Sequence, residues 1–292
     1  MHIKRSTSDK IADTLIYSFL VLFAICMLYP FYYVVMASFS NPYKLMAHRG
    51  LLFYPQGLSV EAYKYVLREP MILRGYWNTL NYVVFGVMIN MFMTILGAYV
   101  LSRKNLLLKK PLMFMAVFTM FFDGGMIPFY LQVRALGITD TVWSILLPVA
   151  LITWNLIIMR TYFQSIPYEM EESARIDGAN DFVILARIIV PLAKPVIAVV
   201  VLYYAVMRWN AWFYALLFLD TRTKYPLQVI LREILIVGST SGLSGDNLTD
   251  KFMIGELIKY AAIVIATLPI LCVYPFVQKY FMKGVMIGAL KG

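Results

Sequence analysis

Charge is what this sequence has least of. Asp, Glu, Lys and Arg make up 14% of its 292 residues, where a soluble domain carries about a quarter, and that shortage argues against a water-soluble enzyme. Cysteine is nearly absent. Cys26 and Cys272 each sit alone in an apolar run, so there is neither a CxxC pair nor a disulfide framework. The histidines are His2 and His48, and with no HExxH and no GxSxG the chain carries no metal-hydrolase or serine-hydrolase signature. A GxxxxGK[ST] phosphate loop is missing too, so the chain is not expected to hydrolyse ATP itself. Internal repeats, low-complexity runs and a soluble-domain boundary are likewise absent.

What is present is apolar: 61% of residues are hydrophobic. They fall in blocks long enough to cross a hydrocarbon layer of about 30 Å, which takes about 20 helical residues. The blocks predict six spans at 15–37, 80–101, 111–133 with a break inside, 142–162, 195–219 and 260–281. The expected fold class is an all-α polytopic membrane protein, with residues 1–292 as one membrane domain. The first block follows Lys4, Arg5 and Lys10 and is longer than a signal-peptide core of about 7–15 residues, so it reads as a retained span.

The formal charge is +10, from 26 Lys and Arg against 16 Asp and Glu. The cations form no continuous stripe, which points to membrane topology and not to nucleic acid. Arg103, Lys104, Lys109 and Lys110 crowd one short loop while Arg134 stands alone in the next. The positive-inside rule therefore puts both termini, the 102–110 loop and the 164–194 loop in the cytoplasm, with the chain in the plasma membrane. The long outward connections, 39–77 and 220–259, are expected to be docking surfaces. In the second, Leu227, Ile230, Leu231, Ile234 and Leu235 follow Pro226 at helical spacing, predicting an amphipathic helix on the membrane surface. A flexible stretch, 238–247, is expected after it.

The inward loop at 167–195, PYEMEESARIDGANDFVILARIIVPLAKP, is polar and helix-forming where a tight connection would have sufficed. Pro167 can open a helix whose first turns hold Glu169, Glu171 and Glu172, where the dipole favours negative charge, and Gly178 can end it. A second stretch from Asp181 to Val190 would pack Phe182, Leu185, Ile188 and Ile189 on the membrane base, and Pro191 and Pro195 would turn the chain into the next span.

In Glu172, Ser173, Ala174, Gly178, Ile188, Val190 and Pro191 the loop resembles the EAA loop of ABC-importer permeases, with Ser173 in place of the second alanine and Val190 in place of leucine. Asn78-Thr79-Leu80, 99–103, FFDGGMIPFY, WNAWFYALLF and the terminal GVMIGALKG extend the likeness over most of the chain. The resemblance is to the carbohydrate-uptake, maltose-type branch, nearest to aldouronate and polysaccharide oligosaccharide permeases. It implies a type I ABC importer permease fold and a transmembrane permease subunit for ATP-driven import of oligosaccharides.

The implied partners are a second homologous permease, two cytoplasmic ATPases and an extracytoplasmic sugar-binding protein. ATP and Mg would be bound by the ATPases and no cofactor by this chain. The helix around Glu171, Glu172, Ser173, Ala174, Asp177 and Gly178, followed by Pro191, would be the coupling element that carries alternating access. The tail residues Gly288, Lys291 and Gly292 would reach the ATPase.

Ionisable residues at membrane depth need partners or water. Asp123 falls near the middle of its block and is followed by Gly124, Gly125 and Pro128, a composition that breaks a helix and suits a cavity wall. Tyr204, Arg208 and Trp212 fall at i, i+4 and i+8, with Trp209 and Asn210 beside them. Aromatic faces stack on pyranose C–H faces and polar groups pair with hydroxyls, so this set suits a sugar pathway, and Arg208 could meet a uronate carboxylate. Trp154 and Asn155 repeat the pattern. Core packing and an interfacial aromatic belt are the competing readings. An intramembrane aspartyl enzyme would need a second membrane aspartate beside Asp123, and a channel or secondary transporter would work without ATP.

Overall fold

The computed structural model describes residues 7–235, 255 and 257–272. The expected stretch at 238–247, the end of the sixth block and the tail residues Gly288, Lys291 and Gly292 lie outside the described residues. No strand occurs among the described residues, and the helices run in order as follows. They are α1 (Thr7–Ser38), α2 (Pro42–Ala47), α3 (Glu61–Arg68), α4 (Pro70–Ser102), α5 (Lys109–Phe121), α6 (Met126–Ala135), α7 (Trp143–Leu146) and α8 (Thr153–Gln164). Then come α9 (Glu169–Ile176), α10 (Asp181–Ile184), a π-helical turn (Leu185–Ile189), α11 (Val190–Leu192), α12 (Lys194–Trp209), α13 (Phe213–Phe218), α14 (Leu227–Glu233) and α15 (Leu257–Cys272).

Two helices, Asp9–Ser38 and Pro70–Ser102, are long and apolar enough to cross a membrane by themselves. Two pairs qualify jointly across a sharp bend, α5 with α6 at 117° and 181–192 with α12 at 85°. The block at 142–162 is interrupted, being helical at α7 and again at α8.

The chain falls into two compact units, 1–69 with 231–267, and 70–230 with 268–292. In the first, α1 leaves its most apolar window wholly uncovered by protein. Its far end is fixed by polar contacts: the Ser38 and Tyr63 hydroxyls are 2.7 Å apart, and Asn41 Oδ1 caps α2 by accepting from Tyr43 N–H at 3.1 Å. Ala37, Leu52, Ala62 and Val66 are buried in this unit.

The second unit is built on α4. Its buried stripe, Gly75, Thr79, Tyr82, Gly86, Asn90, Thr94 and Ala98, follows helical spacing and is rich in small residues, which lets neighbouring helices approach. Tyr99, Leu156, Met159, Phe163, Ile184, Leu185, Ile189, Val196 and Val200 form the main core between α4, α8, the 167–195 loop and α12.

The helix expected on the membrane surface behind Pro226 instead turns its apolar side into protein, with Leu227, Val229 and Ile230 fully buried. Gly75 is the reason, because a Cβ there would lie 2.5 Å from Ile230 Cδ1 and 3.1 Å from Leu227 Cα. Thr79 Oγ1 accepts from Leu227 N–H at 2.9 Å, and Asn78 Nδ2 donates to the carbonyls of Thr223 and Tyr225.

Candidate functional site

The loop at 167–195 forms a helix, a turn and a second helix. Glu169, Glu171 and Glu172 occupy the first turn of α9. Gly178, at φ +81°, ends it in the left-handed region that glycine adopts without strain, and Ala179 N–H returns to Ala174 O at 2.9 Å. Asn180 then caps α10, its Oδ1 accepting from Val183 N–H at 2.9 Å. Pro191 lacks the N–H that a regular helix would direct at Arg187 O, and the π-helical turn lies just before it.

The acidic residues of α9 part company. Glu171 is 2% exposed and is ion-paired with Arg103. The Arg103 guanidinium lies 4.3 Å over the Tyr99 ring, and its Nε donates to Tyr99 O at 3.2 Å. Glu172, Ser173, Asp177, Gly178 and Pro191 are exposed and Ala174 is half-buried against the core. Phe182, expected on the membrane base, is instead 75% exposed, and Ile176 is 82% exposed. Leu185 and Ile189 are buried and Ile188 is half-buried as expected, with Ile184 joining them, so Phe182 alone of the expected set stands in solvent. Alongside, Arg160 Nε donates to Leu101 O at 3.1 Å and Lys109 Nζ to Arg103 O at 2.9 Å, tying α8 and α5 to the C-terminal end of α4.

The break expected at Asp123 is present. Gly125 has φ +86°, and Asp123 Oδ1 accepts from its N–H at 2.9 Å across the corner between α5 and α6. Asp123 is exposed. Phe129 and Tyr130 of FFDGGMIPFY meet Tyr214 and Phe218 of WNAWFYALLF, with ring centroids 5.4 Å apart for Phe129 and Tyr214 and 6.0 Å for Tyr130 and Phe218.

The expected face of Tyr204, Arg208 and Trp212 does not form, because α12 stops at Trp209 and Asn210 begins a turn. Tyr204 and Arg208 point into protein, at 0% and 3% exposure. Arg208 Nε donates to Asn90 Oδ1 at 3.1 Å and its terminal nitrogens to the carbonyls of Ile145, Leu146 and Val149. Asn155 is buried while Trp154 is exposed. Trp212 is partly exposed, edge-on to Phe213 at 5.6 Å. Asn210 is exposed and donates back to Val206 O at 2.9 Å. Trp209 is buried, its indole N–H without a partner among the described residues.

Sequence reasoning passed over Asn90 and Thr94, polar residues at i, i+4 inside an apolar helix, although that spacing was visible. It also passed over Asp140. This residue, at φ 51°, accepts from Lys224 Nζ at 2.7 Å, Thr221 Oγ1 at 2.6 Å and the amides of Thr221 and Asp220. The Lys224 ammonium, followed by the Thr221 hydroxyl and amide, holds its carboxyl far below the usual carboxylate range.

Residues 4–287 match the family described as binding-protein-dependent transport system inner membrane component. The polygalacturonan/rhamnogalacturonan transport system permease protein YtcP of Bacillus subtilis is 43% identical over 97% of this chain and 99% of its own length. Protein LplC of the same organism is also 43% identical, over 90% of this chain and 89% of its own length. Among solved structures, a bacterial ABC transporter involved in the import of the acidic polysaccharide alginate superimposes with TM-score 0.87 at 37% identity, covering 96% of this chain and 99% of that one. The fold is that of a type I ABC importer permease. With a polar helix pair between apolar helices, polar breaks in apolar helices and a family match over nearly its whole length, the chain belongs to the binding-protein-dependent transport system inner membrane components, as a permease subunit.

Proposed function

We propose that this permease forms half of a pathway for an acidic oligosaccharide, paired with a second homologous permease. Two cytoplasmic ATPases would bind ATP and Mg and do the hydrolysis, and an extracytoplasmic sugar-binding protein would deliver the substrate. The observation that carries the reading is the exposed side of the inward loop. Glu172, Ser173 and Asp177 lie in water beside the bare apolar side chains of Ile176 and Phe182, a mixed polar and apolar surface suited to a groove of another protein. The reading keeps six spans with both termini in the cytoplasm, so that this loop faces the ATPase. Substrate acidity is carried over from the polygalacturonan/rhamnogalacturonan and alginate systems of the similar proteins. On the pathway, Asp123, Trp154, Asn210 and Trp212 offer exposed polar and aromatic groups to a sugar, and Trp209 an unengaged donor.

The test is to purify the chain from its membrane with its partners and to measure ATP hydrolysis with the binding protein and either oligogalacturonate or maltodextrin. Stimulation by oligogalacturonate alone is expected. A preparation from which no ATPase co-purifies would overturn the assembly, and stimulation by maltodextrin alone would overturn the acidic substrate. Glu172→Lys should lose the ATPase and keep the second permease.

A further inference from the structure

The gap in the fourth apolar block is closed by polar groups that no sugar contact accounts for. Pro148 has no N–H and ends α7, and Ala150 N–H turns back to Leu147 O at 3.0 Å. Residues 147–152 therefore leave the helical ladder, and their backbone groups need other partners in an apolar setting. Two flanking helices supply them. From α12, Arg208 donates to the carbonyls of Ile145, Leu146 and Val149, and the Tyr204 hydroxyl accepts from Ile152 N–H at 3.2 Å. From α4, Asn90 Nδ2 donates to the carbonyls of Val149 and Ala150 while its Oδ1 accepts from Arg208, and Thr94 Oγ1 meets the Tyr204 hydroxyl at 2.7 Å. Gly86 completes the stripe of residues 86, 90 and 94, since a Cβ there would stand 2.8 Å from Arg208 Nε.

This gap lies on the mechanical route from the inward loop. From it α8 runs to Gln164, and α9 begins at Glu169. An unsupported gap in such a strut would yield under load. We infer that Arg208, Asn90 and Tyr204 are positioning residues for transport. They lock the 147–152 gap to α4 and α12, so that a push on the inward loop moves α4, α8 and α12 as one block and is not absorbed at the gap. The inference rests on the permease role and is independent of which sugar is carried.

The test uses the complete assembly in lipid vesicles, with the binding protein and oligogalacturonate as probe. Sugar moved and ATP hydrolysed are both measured per assembled complex, for wild type, Arg208→Met, Arg208→Lys and Tyr204→Phe. Hydrogen exchange of the 143–156 segment is followed in parallel. Arg208→Met should assemble and hydrolyse ATP while sugar moved per ATP falls about tenfold or more and exchange at 149–153 rises by a similar factor. Arg208→Lys should recover part of both, because it keeps the charge without the planar fork.

A residue needed only for folding would lower transport and hydrolysis with the amount of complex. An unchanged ratio in assembled Arg208→Met overturns the inference, as does wild-type exchange. If Arg208→Met fails to assemble, Tyr204→Phe decides: it removes only the hydroxyl, and a normal ratio there is equally fatal. Should wild type move no oligogalacturonate, the proposed sugar class is wrong and hydrogen exchange still decides the clamp.

Discussion

Glu171 and Glu172 are neighbours in sequence, yet the structure assigns them opposite environments, and the difference is large enough to measure. The Glu171 side chain is 3% exposed and that of its partner Arg103 is 18% exposed. Glu171→Ala would leave the guanidinium with Tyr99 O, the Ser102 hydroxyl and the Tyr99 ring, but with no counter-charge. Removing one member of a buried pair costs about 3–5 kcal/mol, and the contacts kept by Arg103 place this case near the lower end, at about 3 kcal/mol. If that loss falls on the local opening of α9, the open population rises by about two orders of magnitude. Trypsin reads that opening through cleavage after Arg175, whose rate follows the open population when reclosing is fast. In detergent-solubilised permease, Glu171→Ala should be cut about 100-fold faster than wild type. Glu172→Ala should stay within about twofold, since its side chain is in water. Equal acceleration by the two substitutions would refute the assignment. The pair Arg103→Met with Glu171→Leu should fall back towards wild type, because an apolar pair leaves no charge buried.

Gly75→Ala should lower the thermal midpoint of the solubilised protein by overpacking against Ile230 and Leu227, at about 1–3 kcal/mol. Gly124→Ala, whose Cβ would meet nothing closer than Pro128 Cβ at 3.9 Å, should leave the midpoint unchanged. The Asp140 carboxyl is held below its ordinary value of 3.8, so its contribution to stability is complete above that pH and is lost as pH falls towards its folded value. A thermal-midpoint scan should therefore show wild type losing stability below about pH 4 more steeply than Asp140→Asn. Trp212→Ala and Asp123→Ala should lower sugar-stimulated ATP turnover with the assembly intact, and unchanged turnover and selectivity would return both residues to packing roles.

The legible parts were those whose signal is local. Pro167, three glutamates in one turn and Gly178 announce a short helix and its end within a dozen residues, and Asp123-Gly124-Gly125 announces a break. The direction of Arg208 was not legible, because hydropathy registers a cation inside an apolar run and is blind to whether it faces a cavity or a neighbouring helix. Its partners, Asn90 and the carbonyls at 145–149, are far away in sequence and come together only when α4 and α12 pack. Pro148 was the available hint of the second break, but it is embedded in an apolar stretch that reads as continuous. Phe182 was assigned to the core by periodicity, but it lies in the first turn of α10, ahead of the buried Ile184, Leu185 and Ile189, and stays in solvent.

The bare side chains of Ile176 and Phe182 also bear on how the subunit fares before assembly. A short helix pair holds two large apolar groups in water at the tip of a membrane protein, so an orphan copy presents to chaperones and proteases the kind of surface they bind. If the proposed ATPase seats on that tip, covering it is what would distinguish a completed transporter from a surplus chain. On that reading, a cell that makes more permease than ATPase would clear the excess by reading the same few residues that the proposed assembly would hide.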